Sequence, residues 1–155
     1  MTVRRNGVRT SLVRFNLSSV PSGLTVTEAR VELYCVARSN PGPLTISVHR
    51  AIRWWGEGRA NWTVAAKGLL WGVPGCKQYG VDLGRRVLSS VDATATGQWY
   101  SWDITGQVQS WLGGARNHGL VFVGSGPASV EYQFLTSEST WNAPRTPRLV
   151  IKYQP

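Results

Sequence analysis

Acidic residues are scarce: Asp and Glu number eight in 155 residues, against 17 Lys and Arg, a formal net charge of +9. A glycoside hydrolase needs two carboxyl groups facing each other across about 5–10 Å. Glu28, Glu32 and Glu131 read as solvent-facing strand residues and Asp103 as a helix cap, which leaves only Glu57, Asp82, Asp92 and Glu138. No catalytic residue is expected among them. Histidine is scarcer still, with His49 at the end of a strand and His118 in a turn. Neither a His-x-x-x-His spacing nor a Gly-x-Ser-x-Gly elbow occurs, so neither a metal centre nor a nucleophilic triad is expected. No cofactor is expected either, although a structural cation such as calcium stays open. No apolar run approaches the ~18 residues of a membrane-spanning helix, and Met1-Thr2-Val3-Arg4-Arg5-Asn6 leads into no apolar segment with a small-residue cleavage site. Neither a span nor a signal peptide is expected in the chain as written.

Only two cysteines occur, Cys35 on the inward face of a strand and Cys76 in a loop. They form either one disulfide, closing a loop of about 40 residues for ~3–4 kcal/mol, or two reduced thiols. The length suits a single domain over residues 1–155, which can bury a core without a disulfide. Gly and Pro together make about 16% of the chain, rich in turns but below the ~25–30% of disordered sequences.

Arginine and tryptophan are what the chain does have. Fourteen of the 17 basic residues are Arg, and eight Trp occur. A basic excess favours anionic partners in a salt-dependent way. The cations are dispersed, with no block of five or six, so a disordered basic arm is not expected. Guanidinium and indole groups interleave most densely from Arg50 through Arg53, Trp54, Trp55 and Glu57 to Arg59, as a nucleic-acid stacking platform would. The plainer reading is that these arginines are ordinary surface cover, and nucleic acid is not the expected partner.

Thr25 to Val36 alternates throughout, placing Ala29, Val31, Leu33 and Cys35 on one face and Glu28, Arg30, Glu32 and Tyr34 on the other, a half-buried strand. Ser11–Phe15 and Leu44–His49 read as strands, as do Arg86–Leu88, Gln98–Asp103, Gly119–Val123, Ser129–Phe134 and Arg148–Tyr153. Residues 53–80 sustain neither helix nor strand period and read as a long structured loop packed by indoles. Asp103 to Gly114 predicts one short helix with Asp103 as N-cap, an Ile104, Val108, Trp111 and Leu112 face, and a Gly pair as its stop. About eight strands with one short helix predict an all-β fold, a jelly-roll-like antiparallel β-sandwich.

Trp62, Trp71, Trp102 and Trp111 are expected in the core or as loop anchors. Trp54, Trp55, Trp99 and Trp141 stand beside turn residues and form the expected exposed set, contacting a ligand or a neighbouring subunit together with Arg53 and Arg59. Glu57, between two glycines, is expected to fix the Trp-rich loop by accepting hydrogen bonds from loop amides or Arg59.

Leu12 to Gly23, Val26 to Tyr34, Trp55 to Trp62 with Trp71 and Pro74-Gly75, Trp99 to Thr105 with Val108 and Trp111, Asn117 to Leu120, and Pro147 to Ile151 together resemble the DNRLRE-type domain, a carbohydrate-binding-module-like β-sandwich. The similarity runs from about residue 10 to near the C-terminus. The family opens with a further ~30 residues that form a strand and a loop, so the resemblance implies an edge left bare here. Where the family tends to carry Gly and an acid after its Pro-Gly turn, this chain has Cys76-Lys77-Gln78, which argues against a cation site at that turn. A non-catalytic binding or building module working outside the cell is implied. With no export signal, the expectation is a structural subunit on the outside of a large assembly, a virion-surface protein of the capsid-decoration or fibre type. Such a subunit would be homo-oligomeric, docked on an acidic protein surface, and completed through strand addition by a partner. The alternatives are a carbohydrate-binding module of a secreted enzyme or adhesin, taking an anionic polysaccharide among other glycans, and a subunit of an extracellular filament.

Overall fold

A computed structural model describes residues 1–21, 23–139 and 144–154. Among these residues, eleven strands and one helix follow in the order β1 (Thr2–Arg4), β2 (Ser11–Val13), β3 (Thr25–Arg38), β4 (Leu44–Arg50), β5 (Val64–Ala66), β6 (Leu69–Leu70), β7 (Ser89–Ala93), β8 (Gln98–Asp103), α1 (Thr105–Leu112), β9 (Leu120–Ser125), β10 (Glu131–Phe134) and β11 (Arg148–Gln154). One sheet places β8 on one side of β3 and β11 and β10 in succession on the other, with β1 beyond β10. The second runs β2-β9-β4-β7, and all strand pairings in both are antiparallel. The result is the all-β sandwich that the alternation predicts. The short β1 occupies the outer edge of the first sheet beside β10.

The 14-residue β3 shows why the layers meet. Its period of two sends Ala29, Val31, Leu33 and Cys35 inward with no exposed surface, against Leu44, Ile46 and Val48 of β4 and Leu120 and Phe122 of β9. Trp102 of β8 joins the layers: its ring lies edge-on to Phe122 at 5.2 Å, and its indole N–H donates to the Ile46 carbonyl at 2.8 Å. That bond leaves the buried indole with no unsatisfied donor. The helix closes one end of the core through Ile104, Val108 and Trp111. Ile104 holds the N-cap position, one residue later than expected. Asp103 still serves the helix start, its carboxylate accepting the Thr105 N–H at 2.8 Å and the Thr105 hydroxyl at 2.7 Å.

Three expectations are corrected here. Glu32 is buried rather than solvent-facing, because Arg30 and Arg148 close over it with hydrogen bonds of 2.6 and 2.5 Å. The strand expected at Arg86–Leu88 begins at Ser89, leaving Arg86 in a loop beside Arg85. The segment read as one long loop also contains the β5–β6 hairpin.

Burial pushes the Glu32 carboxyl up, but the two guanidinium bonds outweigh it and hold the group below its ordinary range. A depressed folded pKa contributes stability above the unfolded value and loses it as pH falls through the folded one. The wild type is therefore expected to lose ~1–2 kcal/mol through Glu32 on acidification from pH 5 to pH 2, after discounting for the exposed arginines. In Glu32→Gln this share of the acid sensitivity disappears; unfolding curves at the two pH values measure the difference.

Candidate functional site

Residues 51–83 fold around a second, smaller core of Ala51, Trp55, Ala65, Trp71, Cys76, Leu83 and Val121. Its centre is Asp82, whose side chain is fully buried. The carboxylate accepts the Gly72, Val73 and Gln78 amides at 2.8, 3.1 and 3.1 Å and Arg53 Nε at 2.8 Å. Burial raises its pKa, yet these four donors prevail and keep it ionised below its ordinary range. Asp82 thus does what Glu57 was expected to do. Glu57 is exposed and has no hydrogen-bond partner among the described residues. Arg53, expected to meet a ligand, is instead committed to Asp82 with its side chain 22% exposed.

The tryptophans sort differently from expectation. Trp55 is buried, its N–H donating to the His118 carbonyl at 2.6 Å and its ring lying under the Arg14 guanidinium. Trp62, expected inside, is 47% exposed. Trp54 is exposed as expected, and Arg59 is exposed near it in the chain. Trp99 is half-buried on the outer face of the first sheet, edge-on to Tyr34 and covered by Arg148 at 4.1 Å. Trp141 lies outside the described residues. With Trp55 turned in and Arg53 pinned, the Arg50–Arg59 stretch offers no continuous stacking face of the kind nucleic acid would need.

The cysteines are two free, buried thiols in separate cores, Cys35 in the sandwich and Cys76 in the loop. Burial, and next the Asp82 charge, push the Cys76 thiol up to about 12, so it is inert.

What this loop builds is a cleft of about 970 Å³ between the end of β4, residues 80–89 and the start of α1. Sequence-distant segments meet there because the loop runs back along β4: the Gly84 N–H donates to the Arg50 carbonyl at 2.9 Å and the Leu88 N–H to that of Val48 at 2.8 Å. Buried His49 braces the turn, its Nδ1–H donating to the Gly84 carbonyl at 2.9 Å. A Cβ at Gly84 would stand 2.9 Å from Arg50 Cγ, so a larger residue there would push the Arg50 side chain aside. The Arg50 stem lies across that gap and enters the cleft beside Arg85 and Arg86.

All three guanidiniums are exposed, and none makes an ion pair or hydrogen bond among the described residues. Opposite them stand Asp103, Thr105, Gln107 and Ser110. The Thr105 N–H and hydroxyl hold the Asp103 carboxyl below its ordinary range, so it remains an acceptor at mildly acid pH. The cleft therefore offers unpartnered cations, one fixed anion, and neutral donors and acceptors. That combination is chemically suited to hydroxyl-rich, negatively charged molecules. Of these residues the sequence pointed only to Asp103, as a cap, and to Arg50, as the start of the Arg- and Trp-rich stretch.

Residues 82–153 match the family model described as carbohydrate-binding module family 96, a stretch that holds most of the cleft but somewhat less than half of the chain. No curated protein matches the chain. No helix among the described residues is long and apolar enough to cross a membrane.

Proposed function

We propose that the protein is a non-catalytic carbohydrate-binding module that works outside the cell and holds an anionic polysaccharide in the cleft of Arg50, Arg85 and Arg86. The carrying observation is that three exposed arginines line one cleft and none of them forms an ion pair among the described residues, Asp103 being the one acid in that lining. Carboxylates or sulfates of a glycan supply the missing charge, while Asp103, Thr105 and Ser110 meet sugar hydroxyls. The module match over residues 82–153 supports the glycan class, and the +9 charge supports its sign. The assembly-subunit reading drawn from the sequence has no observation of its own behind it and gives way to the module reading.

Affinity electrophoresis tests this. Retardation is expected in gels containing a polyuronate or a sulfated galactan, weakening as salt rises, with no retardation by a neutral glucan. Equal retardation by the neutral glucan, or none by any polymer, is the contrary result.

A further inference from the structure

We infer that the polysaccharide site continues beyond the arginine cleft, along the 75–89 loop to Trp62, so that one anionic chain is held over several consecutive sugar residues. This rests on the polysaccharide reading above and adds its extent. Two further concavities border the same loop. One of about 470 Å³ is lined by Cys76, Lys77, Tyr79 and Leu83. The other, of about 240 Å³, is lined by Asn61, Trp62, Gly75 and Cys76. Cys76 borders both, while Tyr79 and Leu83 are chain neighbours of Gly80 and Gly84 in the cleft. The three hollows thus succeed one another along one strip of backbone.

Their chemistry repeats along the strip. From the arginines it passes to Tyr79, 45% exposed and edge-on to His49 at 5.5 Å, then to Lys77, then to Trp62. The Trp62 ring is held in place although half of it faces solvent. It lies against Gly75, where a Cβ would stand only 2.6 Å from the ring, and the Gly75 N–H donates to the Trp62 carbonyl at 2.7 Å. Gly75 has φ +86, so both its conformation and its missing side chain serve this packing. The Lys77 ammonium stands 4.8 Å from the Trp62 ring centroid and has no acid partner among the described residues. A pre-positioned indole loses little freedom on contact, and its exposed surface suits the C–H face of a pyranose. An adjacent ammonium suits the carboxylate or sulfate of that same sugar. Cation and aromatic alternate here as anionic group and ring alternate along the polymer.

Calorimetric titration of the full chain with oligomers of defined length tests the inference, using oligouronates and sulfated galactan oligomers as the two series. Wild-type affinity is expected to rise with length past the oligomers that fill the cleft and then to level off. Trp62→Ala is expected to weaken the longest oligomers on the order of tenfold and to leave the shortest binders unchanged. Lys77→Gln provides a second variant that leaves the indole in place, with the same length-dependent loss expected. If both variants match wild type at every length while short oligomers still bind, the extended track is wrong and the cleft reading stands. If no oligomer of either series binds the wild type, the cleft reading fails and the track fails with it.

Discussion

Replacing Arg50, Arg85 and Arg86 together by alanine is expected to lower affinity for the retained anionic polysaccharide about a hundredfold while leaving the melting curve nearly unchanged. Each exposed charge-assisted contact is worth ~1 kcal/mol in an open cleft, and three of them sum to roughly two decades of affinity. The fold has little stake in these side chains. All three are exposed and contribute no ion pair within the described residues, and the backbone bonds that place them run through Gly84 and Leu88. The single variants are expected to lose about fivefold each. Much of the lost binding reflects charge, so the gap between wild type and triple variant should narrow as salt rises. Calorimetry at two salt concentrations, with thermal melts as the control, measures both quantities. A triple variant that binds like wild type would remove the arginines from the site altogether.

Asp82→Ala should act in the opposite way, through the fold. Its carboxylate is the common acceptor of three loop amides and of Arg53, so truncation strands four donors and leaves a partly buried guanidinium unpaired. Removing one partner of a buried charged network costs ~3–5 kcal/mol, a large part of the ~5–15 kcal/mol that holds a domain together. Asp82→Asn keeps one acceptor oxygen but turns an NH₂ toward donors, and should recover only part of the loss. Damage is expected first in residues 51–83, seen as faster hydrogen exchange at the Gly72, Val73 and Gln78 amides, with the sandwich core still protected. Because residues 80–89 form one wall of the cleft, polysaccharide binding should fall as well. Having a depressed pKa, Asp82 stabilises the fold above the ordinary carboxylate range and ceases to do so as pH falls through its folded value. Denaturant titration followed by tryptophan emission reads the stability change, and a loss below about 1 kcal/mol would contradict the central role given to Asp82.

The parts of the molecule legible in the sequence are those with a period. Thr25–Val36 alternates strictly, and Ala29, Val31, Leu33 and Cys35 are indeed inside. Ile104, Val108 and Trp111 mark the helix by their spacing, and the helix forms there. In residues 53–80 no period exists, so local pattern cannot tell which indole turns inward. Trp55 is drawn in by the His118 carbonyl, 63 residues away, whereas Trp62 lies out on Gly75. Asp82 was equally opaque, since its donors sit 4, 9, 10 and 29 residues earlier in the chain, a spacing that resembles no motif. Glu57 looked the better loop anchor only because it stands among glycines and tryptophans. The cleft escaped notice for the same reason: Arg50 meets Arg85 and Arg86 through the pairing of the loop with the end of β4, which nothing in either segment announces. The adjacent pair Arg85-Arg86 after Gly84 was the one local hint.

The most direct test of where the glycan sits is a ¹⁵N-edited NMR titration of the wild-type chain with a short anionic oligosaccharide from the series that binds. The largest amide shifts are expected at Gly84–Ser89 and Asp103–Ser110, the two walls of the arginine cleft. Shifts confined to the outer sheet face around Tyr34 and Trp99, with those two walls unmoved, would contradict this placement.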